Sequence, residues 1–583
     1  MEKKLSEYII KSNNLNPSDF ENQIKIALLG SFTLDGLTET IMVKCAELKV
    51  GCNTFYGGYN RYTEEILNNK SKLHSFSPDI CFLILDTRNI LGDLFYSPYD
   101  LSIEKRREFI ENKVNELINL IKSFKDKSNA KLVISNFIIP TYSPYGIFET
   151  KTDYGLKEMV FDLNQKLTNI LKNENSIYLY DLNGFVSKHG EQNVFDFQQY
   201  FLGDVKISLD HIPLLANDLL GFIKPTLGLN KKCIVLDLDN TLWGGIIGED
   251  GFNKIKLGPQ PPGNTYVEFQ KYLLSLHKRG IILAINSKNN PEDAMQVIKE
   301  HPNMVLREKH FACLKINWND KATNLKDIAK ELNIGLDSIV FMDDDQVNRD
   351  FVRQTLPEVL TVELPDNPSL YVSTLMELND FDTIKITEED KQRGKMYTQQ
   401  RNRAESEKNS ASFEEYLKQL DIKIHIKKAD EFTIPRISQL TLKTNQFNLT
   451  TKRYQEEDIK NFSQDNKKIV GCAQIEDKFG DNGITSAYII KKDNDEEWSI
   501  DTFLLSCRVI GRGVEEGILD YIINEARKNN VKRIIGNFIP TKKNKPSESF
   551  LPNFGFEKEN DHWIYDLEKY SKKPSHLLLL NEL

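Results

Sequence analysis

Residues Cys233–Gly245 read CIVLDLDNTLWGG, and this stretch decides how the chain around it is read. Its first four residues are uniformly apolar, as expected of a strand covered on both faces of a parallel sheet. Asp237 and Asp239 follow, two positions apart. Side chains alternate along an extended chain, so both carboxylates are expected to point the same way. That direction is a cavity at the carboxyl edge of the sheet, where α/β proteins place ligands. One carboxylate there can attack phosphorus and form an aspartyl phosphate, while the other carries the proton. A pair of surface or helix-capping aspartates is the plainer alternative, and the apolar run leading into DLD argues against it.

Working outward, FMDDD ends a later apolar run with Asp343 and Asp344. Converging carboxylates repel unless a hard cation sits among them, and Mg²⁺, with its preference for oxygen ligands, suits Asp237, Asp239, Asp343 and Asp344. Between the two acidic runs lie Ser287, after the strand IILAIN, and Lys321, at the head of the helical pattern KATNLKDIAKELN. The hydroxyl suits a phosphoryl oxygen, and the lysine can offset charge on a transferring group. Taken singly, each has a bland reading as turn residue, surface charge or helix cap. Their order, each at a strand end or helix start, makes chance the poorer explanation.

Fifty residues separate Asp237 from Ser287 and 22 separate Lys321 from Asp343. A helix and a strand use most of each window, so neither holds a cap domain, and the site is expected to admit a substrate carried on another macromolecule. The glycine-rich GGIIGEDG is then read as a flap over the site, with a plain hairpin as the alternative.

At 583 residues the chain is too long for one core, and about 150 residues per domain predicts three or four units. The expected fold class is α/β throughout. Residues 1–222 form one unit, with strands IKIALLG, PDICFLILD, KLVISNFIIP and SIYLYDL alternating with helical patterns. Residues 230–375 form a second, with strands CIVLDLD, GIILAINS, SIVFMDDD and VLTVEL. Residues 376–420 read as a solvated, salt-bridged helical connector. Residues 421–583 form a third unit, with strands DIKIHIKKA, KIVGCAQI, TSAYIIKK, EWSIDTFLLS and RIIGNFI.

Composition excludes several classes. Hydrophobic content of 40% and charged content of 28% are ordinary for globular protein. No apolar run reaches the roughly 18 residues of a membrane span. The N-terminus carries no secretory pattern, and seven cysteines without paired spacing fit reduced thiols, so a cytoplasmic location is expected. A net charge of −9 argues against nucleic acid as the main partner.

In the third unit, CRVIGRGVEEGIL sets Arg508, Gly511 and Gly513 between a strand and a helix. This spacing resembles the pyrophosphate loop of GNAT-type acyltransferases, where backbone amides at a helix start hold the diphosphate of coenzyme A. A phosphopantetheine arm carries the same diphosphate. QLTLKTNQFNLTTKRY and PTKKNKP add Lys443, Lys452, Arg453, Lys542, Lys543 and Lys545, read either as a docking face for an acidic partner or as a solvated lysine surface.

The central unit resembles the haloacid dehalogenase (HAD) superfamily: DLDNTLW, AINSKN, Lys321 and MDDDQVNR match its four motifs in order. That resemblance implies Asp237 as nucleophile, Asp239 as general acid/base, Asp343 and Asp344 facing the metal, and Ser287 with Lys321 holding the phosphoryl group. The longer runs DLDNTLWGGIIGEDG, INWNDKATNL, KTNQFNLTTKRY, LLSCRVIGRGVEEGIL and GNFIPTKKN resemble the FkbH-like proteins, HAD subfamily IIIC, over nearly all of residues 23–560. This second resemblance implies a glyceryltransferase/phosphatase. It would load glyceryl from D-1,3-bisphosphoglycerate on an acyl carrier protein thiol, with removal of phosphate, for polyketide or related biosynthesis. Cys507, beside Arg508, is the candidate for a covalent acyl intermediate, with an ordinary core cysteine as the alternative.

The first unit resembles SGNH-type hydrolases, with Ser31 near the nucleophile position and His211 late in the domain. GSFT replaces the usual serine motif, and Ser208 stands where an aspartate is expected three residues before His211, so a degenerate scaffold is predicted. Two other functions compete with glyceryl loading: a capless phosphatase acting on a sugar phosphate or phosphoprotein, and a non-catalytic assembly protein that binds a carrier. The intact aspartates argue against the last.

Overall fold

Every side chain of Cys233–Leu236 is buried in the computed structural model of the protein, as a strand covered on both faces requires. The structure describes residues 3–387, 390–392, 396–397, 399, 403, 412–541, 543–560, 562–569 and 577–581. It divides the chain into two units, Met1–Ile223 and Lys224–Leu583.

The first unit holds β1 (Asn22–Gly30), β2 (Val50–Tyr59), β3 (Ile80–Ile84), β4 (Lys131–Ser135) and β5 (Ile177–Tyr180). They form a sheet ordered β2-β1-β3-β4-β5 in which every pairing is parallel. Strand β2 has no counterpart in the sequence reading. Its VGCNTFYGGY is buried only over its first three residues and at one glycine, so it lacks the apolar run that marks its neighbours.

The second unit contains two sheets. One comprises β6 (Cys233–Leu236), β7 (Ile282–Ser287), β8 (Phe311–Ile316), β9 (Ile339–Met342) and β10 (Leu360–Thr361) in the order β10-β9-β6-β7-β8, again all parallel. Its two faces are sorted by the period of two. Ile234, Leu236, Leu283, Ile285, Val340 and Met342 join one core with Phe269 and Leu273 of the helix Gly263–Lys278. Cys233, Val235, Ile282, Ala284, Ile339 and Phe341 join the other with Leu325 and Ile328 of the helix Lys321–Glu331. The strand β6 thus ends at the carboxyl edge of the sheet's centre, where Asp237 begins.

The other sheet comprises β11 (Lys423–Lys428), β12 (Phe447–Asn448), β13 (Lys468–Asp477), β14 (Gly480–Lys492), β15 (Glu497–Leu505), β16 (Arg533–Gly536), β17 (Glu557–Glu559), β18 (His562–Asp566) and β19 (Leu578–Asn581). It is mixed: β11, β13, β14 and β15 run antiparallel, while β15 and β16 are parallel. The β15–β16 pairing stops at Ile500 and Gly536. Beyond it β12 pairs with Leu504 and Leu505 instead, and Ile539 N donates to Leu449 O at 2.8 Å, so the chain's own segment fills the gap that opens between the two parallel strands.

The connector expected over 376–420 lies partly outside the described residues. Those that are described correct the reading, because Met396, Tyr397 and Arg403 are buried. Tyr397 packs in the core beneath β6 and β9. Arg403 donates to both oxygens of Asp477 at 2.7 and 2.8 Å. The charge-rich composition that reads as solvated conceals these few inward positions.

Candidate phosphoryl-transfer site

Just past the carboxyl ends of β6 and β9, Asp237, Asp343 and Asp344 bring carboxylate oxygens within 4.8 Å of one another. Lys321 Nζ lies 2.7 Å from Asp237 Oδ1, 3.0 Å from Asp343 Oδ2 and 2.8 Å from the Asn286 carbonyl. Burial works against the lysine's charge, but Asp237 and Asp343 outweigh it and hold Lys321 above its ordinary range. Burial together with the charge of Asp237 raises Asp343. Burial, Asp237 and Asp343 push Asp344 up to about 7. Three carboxylates served by one lysine are short of positive charge, and their all-oxygen donor set fits a hard divalent cation.

Asp239 stands outside that group, which corrects its expected place among the metal-facing carboxylates. Its oxygens are taken up elsewhere: Oδ1 accepts from Trp243 Nε1 at 2.8 Å and Ile247 N at 3.1 Å, and Oδ2 from Asn289 Nδ2 at 2.9 Å. Burial nonetheless raises its pKa from the ordinary value, with the charge of Asp237 adding to the effect. The turn after it is made by Asn240 at φ 52°, a left-handed conformation that asparagine tolerates, and Asn240 Oδ1 accepts Gly245 N at 2.8 Å. Ser287 is buried and its Oγ accepts from Asn289 Nδ2 at 3.1 Å.

An amide network missing from the sequence reading positions Lys321. Asn286 Nδ2 donates to the Lys321 carbonyl at 2.9 Å, and Asn324 Nδ2 donates to Asn286 Oδ1 at 3.0 Å. Asn317 N donates to the Ser287 carbonyl at 3.1 Å, tying the strand end of β7 to the loop before the helix. Asp320 caps that helix by accepting Thr323 N at 2.8 Å. The only prior signal was the run of amides in AINSKNN and INWNDKATN. In GGIIGEDG, Gly244 and Lys256 exchange backbone hydrogen bonds at 3.0 and 2.7 Å, and the short helix Ile247–Asp250 lies between them. The segment expected as a flap is therefore a hairpin-like loop anchored on Asp239 through Ile247.

The loop after β15 has the conformation glycine permits: Gly511 at φ 77° and Gly513 at φ 80°, with Gly513 capping the helix Val514–Lys528. The Gly511 amide, however, donates to Glu515 Oε1 at 3.0 Å. Burial, and then the charge of Glu516, push that carboxyl up to about 7. Arg508 is buried and reaches Ser506 Oγ at 3.3 Å and Met396 Sδ at 2.5 Å. Among the described residues Cys507 is the one cysteine not buried, and its carbonyl accepts from Asn333 Nδ2. Asn333 follows the end of the helix whose first residue is Lys321. Twelve steps of about 1.5 Å put Asn333, and with it the Cys507 carbonyl, on the order of 18 Å along the helix from the backbone of Lys321.

Several of the basic residues expected on a docking face pair within the chain. Lys452 Nζ lies 2.6 Å from Asp501 Oδ1. Arg453 donates to the carbonyls of Thr441 and Thr444 at the end of the helix Ile434–Lys443. Lys543 pairs with Asp337. Lys542 lies outside the described residues.

In the first unit, Ser31 is wholly buried and its Oγ accepts Asp86 N at 2.8 Å. Asp86 pairs with Lys206. His211 Nδ1 faces Ser208 Oγ at 2.7 Å, and burial lowers its pKa. A hydroxyl on Nδ1 supplies no negative charge to orient and activate the ring, which fits a scaffold.

Residues 25–224 match the model of the FkbH N-terminal domain. The N-terminal part of the protein BF1531 from Bacteroides fragilis, containing a phosphatase domain complexed with Mg, is similar over 66% of this chain and 100% of that one, at 28% identity and a TM-score of 0.60. Rv2747 from Mycobacterium tuberculosis, in complex with CoA and NLQ, aligns over 23% of this chain and 72% of its own, at 17% identity and a TM-score of 0.19. The ribosomal-protein-S18-alanine N-acetyltransferase from Escherichia coli aligns over 24% and 90%, at 13% identity and a TM-score of 0.20. Similarities as low as these last two carry no argument. No curated protein matches the chain. Among the described residues, no helix is long and apolar enough to cross a membrane. An α/β chain with acidic groups gathered at the carboxyl edge of a parallel sheet, beside a strand-end DxD, is of the HAD type. The FkbH N-terminal domain match covers residues 25–224, ahead of that sheet.

Proposed function

We propose that this chain is a magnesium-dependent phosphatase coupled to acyl transfer, loading glyceryl from D-1,3-bisphosphoglycerate onto an acyl carrier protein with removal of phosphate. The observation that carries the phosphatase half is the convergence of Asp237, Asp343 and Asp344 at the carboxyl edge of the sheet, with Lys321 paired to the first two. Asp237, Asp343 and Asp344 would hold Mg²⁺, which when bound offsets their mutual repulsion and the charge of a phosphoryl group.

Asp237 Oδ attacks phosphorus, the P–O bond to the leaving alcohol breaks, and Asp239 gives that alkoxide its proton. Asp239 then takes a proton from the water that attacks the aspartyl phosphate, releasing phosphate and restoring Asp237. Its burial-raised pKa suits a group that must start protonated. Ser287 Oγ and Lys321 Nζ bind phosphoryl oxygens, and the lysine's charge stabilises the transition state.

In the acyl half, a thiolate attacks the carbonyl of the acyl phosphate and inorganic phosphate leaves. The separation of the Cys507 carbonyl from the backbone of Lys321 supports delivery by a long arm, since a phosphoglyceryl group on Cys507 itself is shorter than that. One observation favours the second reading, a plain phosphatase acting on a sugar phosphate or phosphoprotein: Glu515 already occupies the Gly511 amide that a carrier arm's diphosphate would use.

The test combines the protein, magnesium, a 1,3-bisphosphoglycerate-generating system and a phosphopantetheinylated carrier. Intact-mass measurement should show a glyceryl adduct on the carrier. No adduct with any cognate carrier, alongside good hydrolysis of simple phosphate esters, decides for the plain phosphatase. Unchanged loading by Cys507→Ser removes that thiol from the pathway.

A further inference from the structure

Trp318, in the turn between β8 and the helix Lys321–Glu331, is 74% exposed. The turn that holds it in water is not loose. Asn317 N is bonded to the Ser287 carbonyl at 3.1 Å, and Asn317 and Asn324 exchange side-chain hydrogen bonds at 3.2 and 3.0 Å. Asn319 N donates to Asn317 Oδ1 at 2.9 Å, and Asp320 caps the helix. An indole offers roughly 200 Å² of largely apolar surface, and the folded chain gains little from fixing one in solvent.

Two other strand ends along the carboxyl edge of the same sheet, those of β6 and β9, also expose an apolar residue. Ile246, 40% exposed, precedes Ile247, whose amide binds Asp239. Val347, 74% exposed, donates its amide to Asp345, next to Asp344. Trp318 thus stands three residues before Lys321, Val347 three after Asp344 at the start of the helix Gln346–Thr355, and Ile246 next to the residue whose amide binds Asp239. A phosphorus attacked by Asp237 has the buried Lys321 and Asp343 behind it. The rest of the substrate must leave the cleft on the side where these loops end.

We infer that Trp318 is a specificity-determining residue that receives the leaving-group side of the substrate. The ligand this indole fits is a phosphate monoester whose alcohol part continues as a long, uncharged, C–H-rich chain. A compact ionic ester reaches only the carboxylates and Lys321. The inference rests on the phosphatase reading of the site and adds to it which half of the substrate is recognised, and by what.

The experiment measures phosphate release, with magnesium, from 3-phosphoglycerate and from the chain-extended thioester 3-phosphoglyceryl-S-pantetheine. Trp318→Ala should raise KM for the thioester about tenfold with kcat within about twofold, and leave both constants for 3-phosphoglycerate unchanged. Trp318→Phe, which keeps a ring, should recover most of the difference. In the Asp237→Asn background, the thioester should shift tryptophan emission, and the added Trp318→Phe change should abolish the shift. Equal effects of Trp318→Ala on the two esters, or none on either, would overturn the inference and leave the phosphatase reading standing. If the unaltered protein releases phosphate from neither ester, the phosphatase reading falls and the inference falls with it.

Discussion

At the ends of β6 and β9, three carboxylates crowd together and a single lysine pairs with two of them. At the head of the helix Val514–Lys528, one carboxylate, Glu515, has settled onto the amide of Gly511. Both places are strand-to-helix junctions, and both invite a phosphate reading from sequence. Their charge is arranged in opposite senses. The first is incomplete without a cation and can then hold a phosphoryl group. The second already contains its anion, so an arriving diphosphate must displace Glu515 and meet β12 in the gap beyond. A helix start with glycines is thus a site only when its amides are free.

The sharpest way to break this contrast is at Asp237. Asp237→Asn should lower phosphate release at least about a thousandfold, because an amide cannot attack phosphorus; wild-type rates would remove Asp237 from the mechanism. Chelation of divalent cations should abolish turnover comparably. Restoring millimolar Mg²⁺ should also raise the melting temperature by about 2–4 °C, an increment that Asp344→Asn should lose. Asp239→Asn, which keeps acceptor oxygen for Trp243 or Ile247 but cannot shuttle a proton, should cost about a hundredfold in kcat.

The smallest effect belongs to the loop. The unfolded chain releases the Glu515 proton near 4.3, whereas the folded protein holds it to about 7. Folding therefore takes up a proton between those values, and stability falls as pH rises through that window. Glu515→Gln should accordingly be more stable than the parent at pH 8, by on the order of 1–3 kcal/mol in denaturant titrations. The difference should close below about pH 4. Calorimetric titration of the parent with coenzyme A should show no binding, and stoichiometric binding would undo the contrast.

The carboxylates were legible because uniformly apolar strands lead straight into them, and Lys321 because it heads a helical pattern between them. Strand β8, FACLKI, went unread although it supplies the edge beside Ser287, since its lysine and small residues break the apolar run. Strand β12 hides inside the amide-rich QFNL, where Asn448 and Asn544 serve backbone groups: Asn448 Oδ1 accepts Thr451 N and Asn544 Nδ2 donates to the Asn448 carbonyl. Asp239 was placed with the metal ligands by strand alternation alone. Alternation stops applying where the chain turns at Asn240 and Trp243 folds back on the carboxylate.

Arg403 has a practical meaning for anyone dividing this protein into pieces. By composition, 376–420 is the obvious place to cut. Yet Arg403 and Asp477 are each about 1% exposed and bonded at 2.7 and 2.8 Å, with Tyr397 seated under the neighbouring sheet. A fragment beginning at 421 would carry Asp477 into the interior without its forked partner, at a cost of about 3–5 kcal/mol. A fragment ending at 375 would leave the socket of Tyr397 open to water. Expression boundaries should therefore keep residues 376–420 with both flanks, and a protease site introduced there should leave the two halves associated after cleavage.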